Sequence, residues 1–127
     1  MPGERMLVFW RDSVAMGDDI DAPHELRLPV AADARVGEVM ERLLAERYLA
    51  SVMGGATWIV EGEGPIAVLA QKWSAPRLLV PADTPIWTRV KPSGEPHLDV
   101  RYWCQVDPNR VLDALRNGDP LPDRYGR

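Results

Sequence analysis

The chain predicts an α+β domain: a ββαββ opening, a mostly antiparallel or mixed sheet packed by one main helix, then a further hairpin and a short C-terminal helix. Two observations predict it. Short runs of large, β-favouring residues are separated by segments rich in Gly, Pro and Asp, and one stretch after the first two runs switches to an apolar period of three to four. The length of 127 residues suits one domain with its own core, read as residues 1–118, with 119–127 as a C-terminal tail.

The first strand is Met6 to Arg11, MLVFWR, ending near Asp12. Gly17 to Pro23 is a loop. Glu25 to Val30 alternates Leu26, Leu28 and Val30 on one face, so a second strand returns beside the first, and Pro29 puts it at an edge or a strand end. Between Ala31 and Ala50, Val36, Val39, Met40, Leu43, Leu44 and Arg47 form the stripe of the main helix, with Asp33 as the expected N-cap and Gly54-Gly55 as the stop. Thr57 to Val60 and Ile66 to Ala70 flank EGEGP, a hairpin turn. Arg77 to Val80 reads as a short strand, and Ile86 to Val90 with Leu98 to Gln105 reads as a third hairpin around KPSGEPH. Asp107-Pro108 caps a last helix with Val111, Leu112 and Leu115 as its apolar stripe and Gly118 as its stop.

Composition narrows the function classes. Apolar residues make up 46% and charged residues 27%, which excludes wholesale disorder, a coiled coil and a collagen-like repeat. No apolar run approaches the roughly 20 residues of a membrane span. Met1 to Trp10 lacks the features of a signal peptide, and a single cysteine, Cys104, forms no internal disulfide; both fit a cytoplasmic location. Residues 1–63 hold 12 acids against 6 bases and residues 64–127 hold 7 against 9, so the halves carry −6 and +2 of the net −4. That balance argues against a general nucleic-acid binder, which needs concentrated basic surface, and favours a basic partner.

The densest polar cluster is GDDIDAPHE, with Asp18, Asp19, Asp21, His24 and Glu25. It reads as a solvated loop, as a metal site built on Asp19, Asp21 and His24, or as an acidic contact surface; its spacing matches no EF-hand or zinc motif. The acidic surface is the functional reading carried forward, and no cofactor is implied. A Cys104–His24 or Cys104–His97 pair has no supporting signature, and Cys104 reads as a small buried hydrophobe. G-x-S-x-G, P-loop and dinucleotide fingerprints are absent, so no catalytic set is expected.

Five Trp and three Tyr accompany one Phe. In the expected third hairpin, alternation puts Trp87, Arg89, Arg101 and Trp103 on one face, as a partner surface or as core beneath the last helix.

The ββαββ order over residues 6–70 resembles the β-grasp arrangement of ubiquitin-like proteins, in topology only; the chain ends Tyr125-Gly126-Arg127, not Gly-Gly, so carrier chemistry is not implied. The acidic loop between two strands, the long helix and TWIVEGEGPIAVLAQKW also resemble the small immunity proteins that bacteria pair with toxins. That resemblance implies a non-enzymatic domain that binds a basic toxin, with Asp18, Asp19, Asp21 and Glu25 meeting its cations and Trp87 or Trp103 anchoring it. Two alternatives are a metal-dependent small-molecule binder or enzyme centred on His24, and an adaptor or assembly subunit that adds a partner strand at an exposed edge. No membrane partner is expected, and the sequence does not specify an oligomeric state.

Overall fold

The computed structural model describes residues 3–12, 25–46, 49, 55–92 and 94–123. They form an α+β fold: β1 (Glu4–Arg11), β2 (Glu25–Ala31), α1 (Val36–Ala45), β3 (Thr57–Gly62), β4 (Gly64–Ala70), β5 (Arg77–Leu78), a 3-10 turn (Ile86–Thr88), β6 (His97–Tyr102) and α2 (Pro108–Asn117). The six strands make one mixed sheet in the order β2-β1-β6-β3-β4-β5. β1 and β6, the second and third strands, pair in parallel, and the other neighbours are antiparallel.

Alternation along each strand divides the side chains between two faces. Leu7, Phe9, Leu28, Val30, Trp58, Val60, Leu98 and Val100 face α1, whose Val36, Val39, Met40 and Leu43 complete that core. On the reverse face Ile59, Val68 and Trp103 pack under Val111 and Leu112 of α2. β1 is an interior strand, hydrogen-bonded on one side to β2 and on the other to β6.

Several local expectations give way to long-range contacts. α1 starts at Val36 after Arg35, not at Asp33, and ends at Ala45, well before Gly54-Gly55. Its first N–H groups are satisfied from another part of the chain: Val36 donates to the Thr84 carbonyl at 2.8 Å and Gly37 to that of Ala82 at 2.9 Å. The third hairpin is reduced to one antiparallel bridge, in which Lys91 and His97 exchange backbone hydrogen bonds. Ile86 to Thr88 is a 3-10 turn, and β6 inserts between β1 and β3. β5 is only Arg77–Leu78. His97 opens β6 and is not a loop residue. Cys104 is half-buried in a turn at φ 55, and its carbonyl accepts from Thr57 N–H, so it is not the strand core residue the alternation implies. Of 119–127, residues 119–123 are described; Leu121 packs against the α2-side core, and the Trp103 indole N–H donates to the Pro122 carbonyl at 2.8 Å.

Candidate protein-binding surface

The core beneath α2 draws no residue from β1 or β2. On that side of the sheet the even-numbered residues of β1, Met6, Val8 and Trp10, lie opposite Leu7 and Phe9. Met6 is 45% exposed and Trp10 is 46% exposed. Val8, between them, is 1% exposed. It sits in register between Arg27 of β2 and His97 of β6, and the Arg27 guanidinium reaches across it to grip Glu95 with two hydrogen bonds of 2.6 and 2.7 Å.

The register aligns Glu25, Trp10, Asp99 and Glu61 in one row across β2, β1, β6 and β3. The carboxylates have cationic neighbours: Arg27 meets Glu25 at 3.3 Å, Lys91 meets Asp99 at 2.5 Å, and Arg101 meets Glu61 at 3.2 Å. Asp12 accepts from the Tyr102 backbone N–H at 3.0 Å, tying the end of β1 to β6. A cleft of about 300 Å³ opens here, lined by Trp10, Arg11, Asp12, Glu61, Asp99 and Arg101.

These pairs shift the titration of three groups. The Glu95 hydrogen bond to Arg27 holds its carboxyl below the ordinary 4.5, and the same contact raises Arg27. The hydrogen bond to Asp99 raises Lys91 above 10.5. A lowered carboxyl stabilises the fold above its unfolded pKa, and that contribution is lost as pH falls through the folded value; a raised amine contributes below its unfolded pKa and loses it as pH rises through the folded value. The stability difference between the wild type and Glu95→Gln is therefore expected to be flat over neutral pH, to begin to fall near 4.5 and to be lost as pH drops through the lowered folded value. The pair is exposed, so the difference is small and shrinks with salt. A difference that persists unchanged at pH 3 in urea titrations contradicts this assignment.

The sequence-predicted site residues scatter. Glu25 and Arg101 lie on the open face. Trp103 is on the same side of the sheet but 8% exposed under α2, with Arg101 stacked over it at 5.0 Å, so it offers no anchoring surface. Trp87 and Arg89 belong to the 3-10 segment, not a strand. Trp87 packs on the α1-side core, donates from its indole to the Ala31 carbonyl at 2.8 Å and carries Arg5 at 4.3 Å, while the Arg89 carbonyl accepts from Glu63 N–H at 2.7 Å. The expected face combining Trp87, Arg89, Arg101 and Trp103 is therefore not formed. Asp18, Asp19, Asp21 and His24 lie outside the described residues. Among the described residues no group of three or more His, Cys, Asp or Glu is placed to hold a metal ion. His97 opens β6 and Cys104 lies in the turn beyond its far end, so the two make no catalytic pair.

The strand-addition reading meets a physical obstacle at the β2 edge. Ala32 N–H bonds the Gly3 carbonyl at 2.8 Å, and the antiparallel alternation then turns the backbone groups of residues 29 and 31 away from β1. Pro29 has no N–H, its carbonyl is taken by Arg42 of α1 at 2.7 Å, and that of Ala31 by Trp87. Side chains thus close this part of the edge.

Trp10 and Met6 are the residues sequence reasoning missed. Their signal is present in ERMLVFWR, which is apolar on both faces, whereas a strand with one wet face needs apolar residues on only one. Among the described residues no helix is long and apolar enough to cross a membrane. No protein-family model matches the chain, and no curated protein or solved structure proved similar to it.

Proposed function

We propose that this domain is a non-catalytic protein-binding module and that its contact surface is the half of the sheet face left open by α2. One observation carries this reading: Met6 and Trp10, the exposed large hydrophobic residues among those described, sit on the same face of one strand. Single exposed apolar side chains are ordinary on a protein surface; here two share one strand face, about 13 Å apart on either side of Val8, and Trp10 sits within a charged rim, the setting in which tryptophan is enriched at interface centres.

The specific form of the reading is an immunity role toward a basic toxin domain. The chain between Asp12 and Glu25 carries Asp18, Asp19 and Asp21 and joins the two strand ends that flank the open face, Trp10 on β1 and Glu25 on β2. Carboxylates in that connection would speed association with a cationic cleft, and Trp10 in place of Trp87 or Trp103 would anchor it. The parallel β1–β6 pair with α1 across one face supports the topological likeness to the β-grasp arrangement, which carries no function of its own.

The test is affinity capture from the native host at low salt with the wild type, Trp10→Ala, and Asp18→Ala combined with Asp19→Ala. The expected result is one stoichiometric basic protein, retained less as salt rises and about tenfold more weakly by Trp10→Ala. Trp10→Ala should change domain stability by less than about 1 kcal/mol, since the side chain is half exposed. Equal retention by Trp10→Ala rejects the open face, and equal retention by the aspartate pair rejects the acidic connection. Stoichiometric metal in the purified protein, lost in His24→Ala, would instead favour the metal-dependent alternative.

A further inference from the structure

We infer that Trp10 receives an arginine side chain of the partner protein, a refinement that rests on the protein-binding reading above. The chain contains five tryptophans, and four of them lie under one of its own arginines. Arg5 stands 4.3 Å from the ring centre of Trp87, Arg77 4.4 Å from Trp73, Arg101 5.0 Å from Trp103 and Arg11 5.7 Å from Trp58. Among the described residues no arginine lies over Trp10, the exposed member of the set.

The surroundings of Trp10 suit a cation. Its direct neighbours on the same face are carboxylates on both sides, Glu25 on β2 and Asp99 on β6, with Glu61 next in the row. In the cleft beside the ring, Asp12, Glu61 and Asp99 outnumber Arg11 and Arg101. Both arginines are directed elsewhere: Arg11 over Trp58 and onto the Asp12 carbonyl, Arg101 onto Glu61 and over Trp103. Lys91 hydrogen-bonds Asp99 and feels the charge of Glu61 from a greater distance, and Arg27 bonds Glu25. An ionised carboxylate has about four acceptor sites, so one hydrogen bond to each leaves capacity for a further donor.

Arginine fits better than lysine. A planar guanidinium stacks on an indole face while its N–H groups point outward in the ring plane, toward carboxylates on either side. A cleft of about 300 Å³ is at the small end for ligand sites and suits one side-chain head group.

The test uses N-acetylarginine amide as probe and the corresponding citrulline compound, its neutral isostere, as control. Both are titrated at low salt into the intact protein while the indole N–H resonances are followed, with Trp10 assigned by the signal lost in Trp10→Phe. The expected result is a saturable shift at Trp10 with a dissociation constant on the order of 10 mM, as one stacked and paired cation would give. Citrulline should bind at least about fivefold more weakly, and Asp99→Asn and Glu61→Gln should each weaken the arginine probe about threefold. No saturable shift at Trp10, or an equal response to citrulline, overturns the inference. If the probe fails while Trp10→Ala still releases the captured partner, the docking face stands and Trp10 meets a non-cationic group. If the probe binds while capture ignores Trp10→Ala, the protein-binding reading is the part that fails.

Discussion

Gly62→Ala is expected to destabilise the domain by about 3 kcal/mol or more, at the upper end for steric overpacking. Gly62 ends β3, is buried, and packs against the backbone that follows the 3-10 turn. A Cβ at this position would fall well inside van der Waals distance of the Arg89 carbonyl oxygen and 2.7 Å from a Leu98 methyl. No rotamer relieves the first contact, because its partner is backbone held by the 2.7 Å hydrogen bond from Glu63 N–H. Relief requires the segment carrying Ile86 and Val90 to withdraw, and both residues belong to the α1-side core. Gly64→Ala is the matched control: its φ of 85 strains an alanine, but a Cβ there meets open space, so the cost should be about 1 kcal/mol. The check is the fall in urea midpoint of the two variants at unchanged slope. Equal effects would mean that backbone conformation alone, and not the close approach to Arg89, makes Gly62 necessary.

The same contact shows why part of the fold was legible in the sequence and part was not. Features set within a dozen residues could be read directly: the Val36, Val39, Met40, Leu43 stripe, the EGEGP hairpin with its glycine at positive φ, and the Asp107-Pro108 cap with Gly118 beyond it. The third hairpin keeps only its closing Lys91–His97 pair: Ile86 to Val90 alternates like a strand, but Pro81 and Pro85 upstream and the Pro85–Thr88 hydrogen bonds commit its start to a 3-10 turn. Its carbonyls and side chains then serve distant elements: the 82–84 carbonyls cap α1, Trp87 closes the β2 edge, and Arg89 holds the end of β3. No local pattern encodes those partners. The true neighbours of β6 are likewise β1 and β3, far from it in sequence.

The candidate site divides along the same line. Glu25 and Arg101 could be placed on the open face because strand phase is local. Trp87 and Trp103 could not, because whether a tryptophan is core depends on which helix covers it. Trp103 lies beneath α2, and α2 stops short of Trp10. The residue that best marks the surface was thus hidden in a run that reads only as core.

Trp58→Ala should cost about 4 kcal/mol, within the range for truncating a buried aromatic and a large share of the stability of a domain this size. Trp58 is 1% exposed on the interior strand β3, paired with Leu69 on one side and Tyr102 on the other. Its ring lies 4.8 Å from that of Tyr102 at a tilt of 41°, and the Arg11 guanidinium stands over it. Arg11 is itself 4% exposed, so removing the indole takes away a face against which a desolvated cation rests, in addition to leaving a cavity. Trp58→Phe keeps a ring beside Tyr102 and under Arg11, and should recover more than half of the loss. If Phe is no better than Ala, a smaller ring neither fills the site nor keeps the contacts with Tyr102 and Arg11, and the indole itself is required. Trp58→Ala at a cost below about 1 kcal/mol would mean that β3 is not the rigid centre of the sheet. It would also weaken the case that Trp10, one strand pair away, sits on a fixed platform. A contact surface built on interior strands needs that rigidity, because a side chain held in one position before the partner arrives loses less entropy on binding.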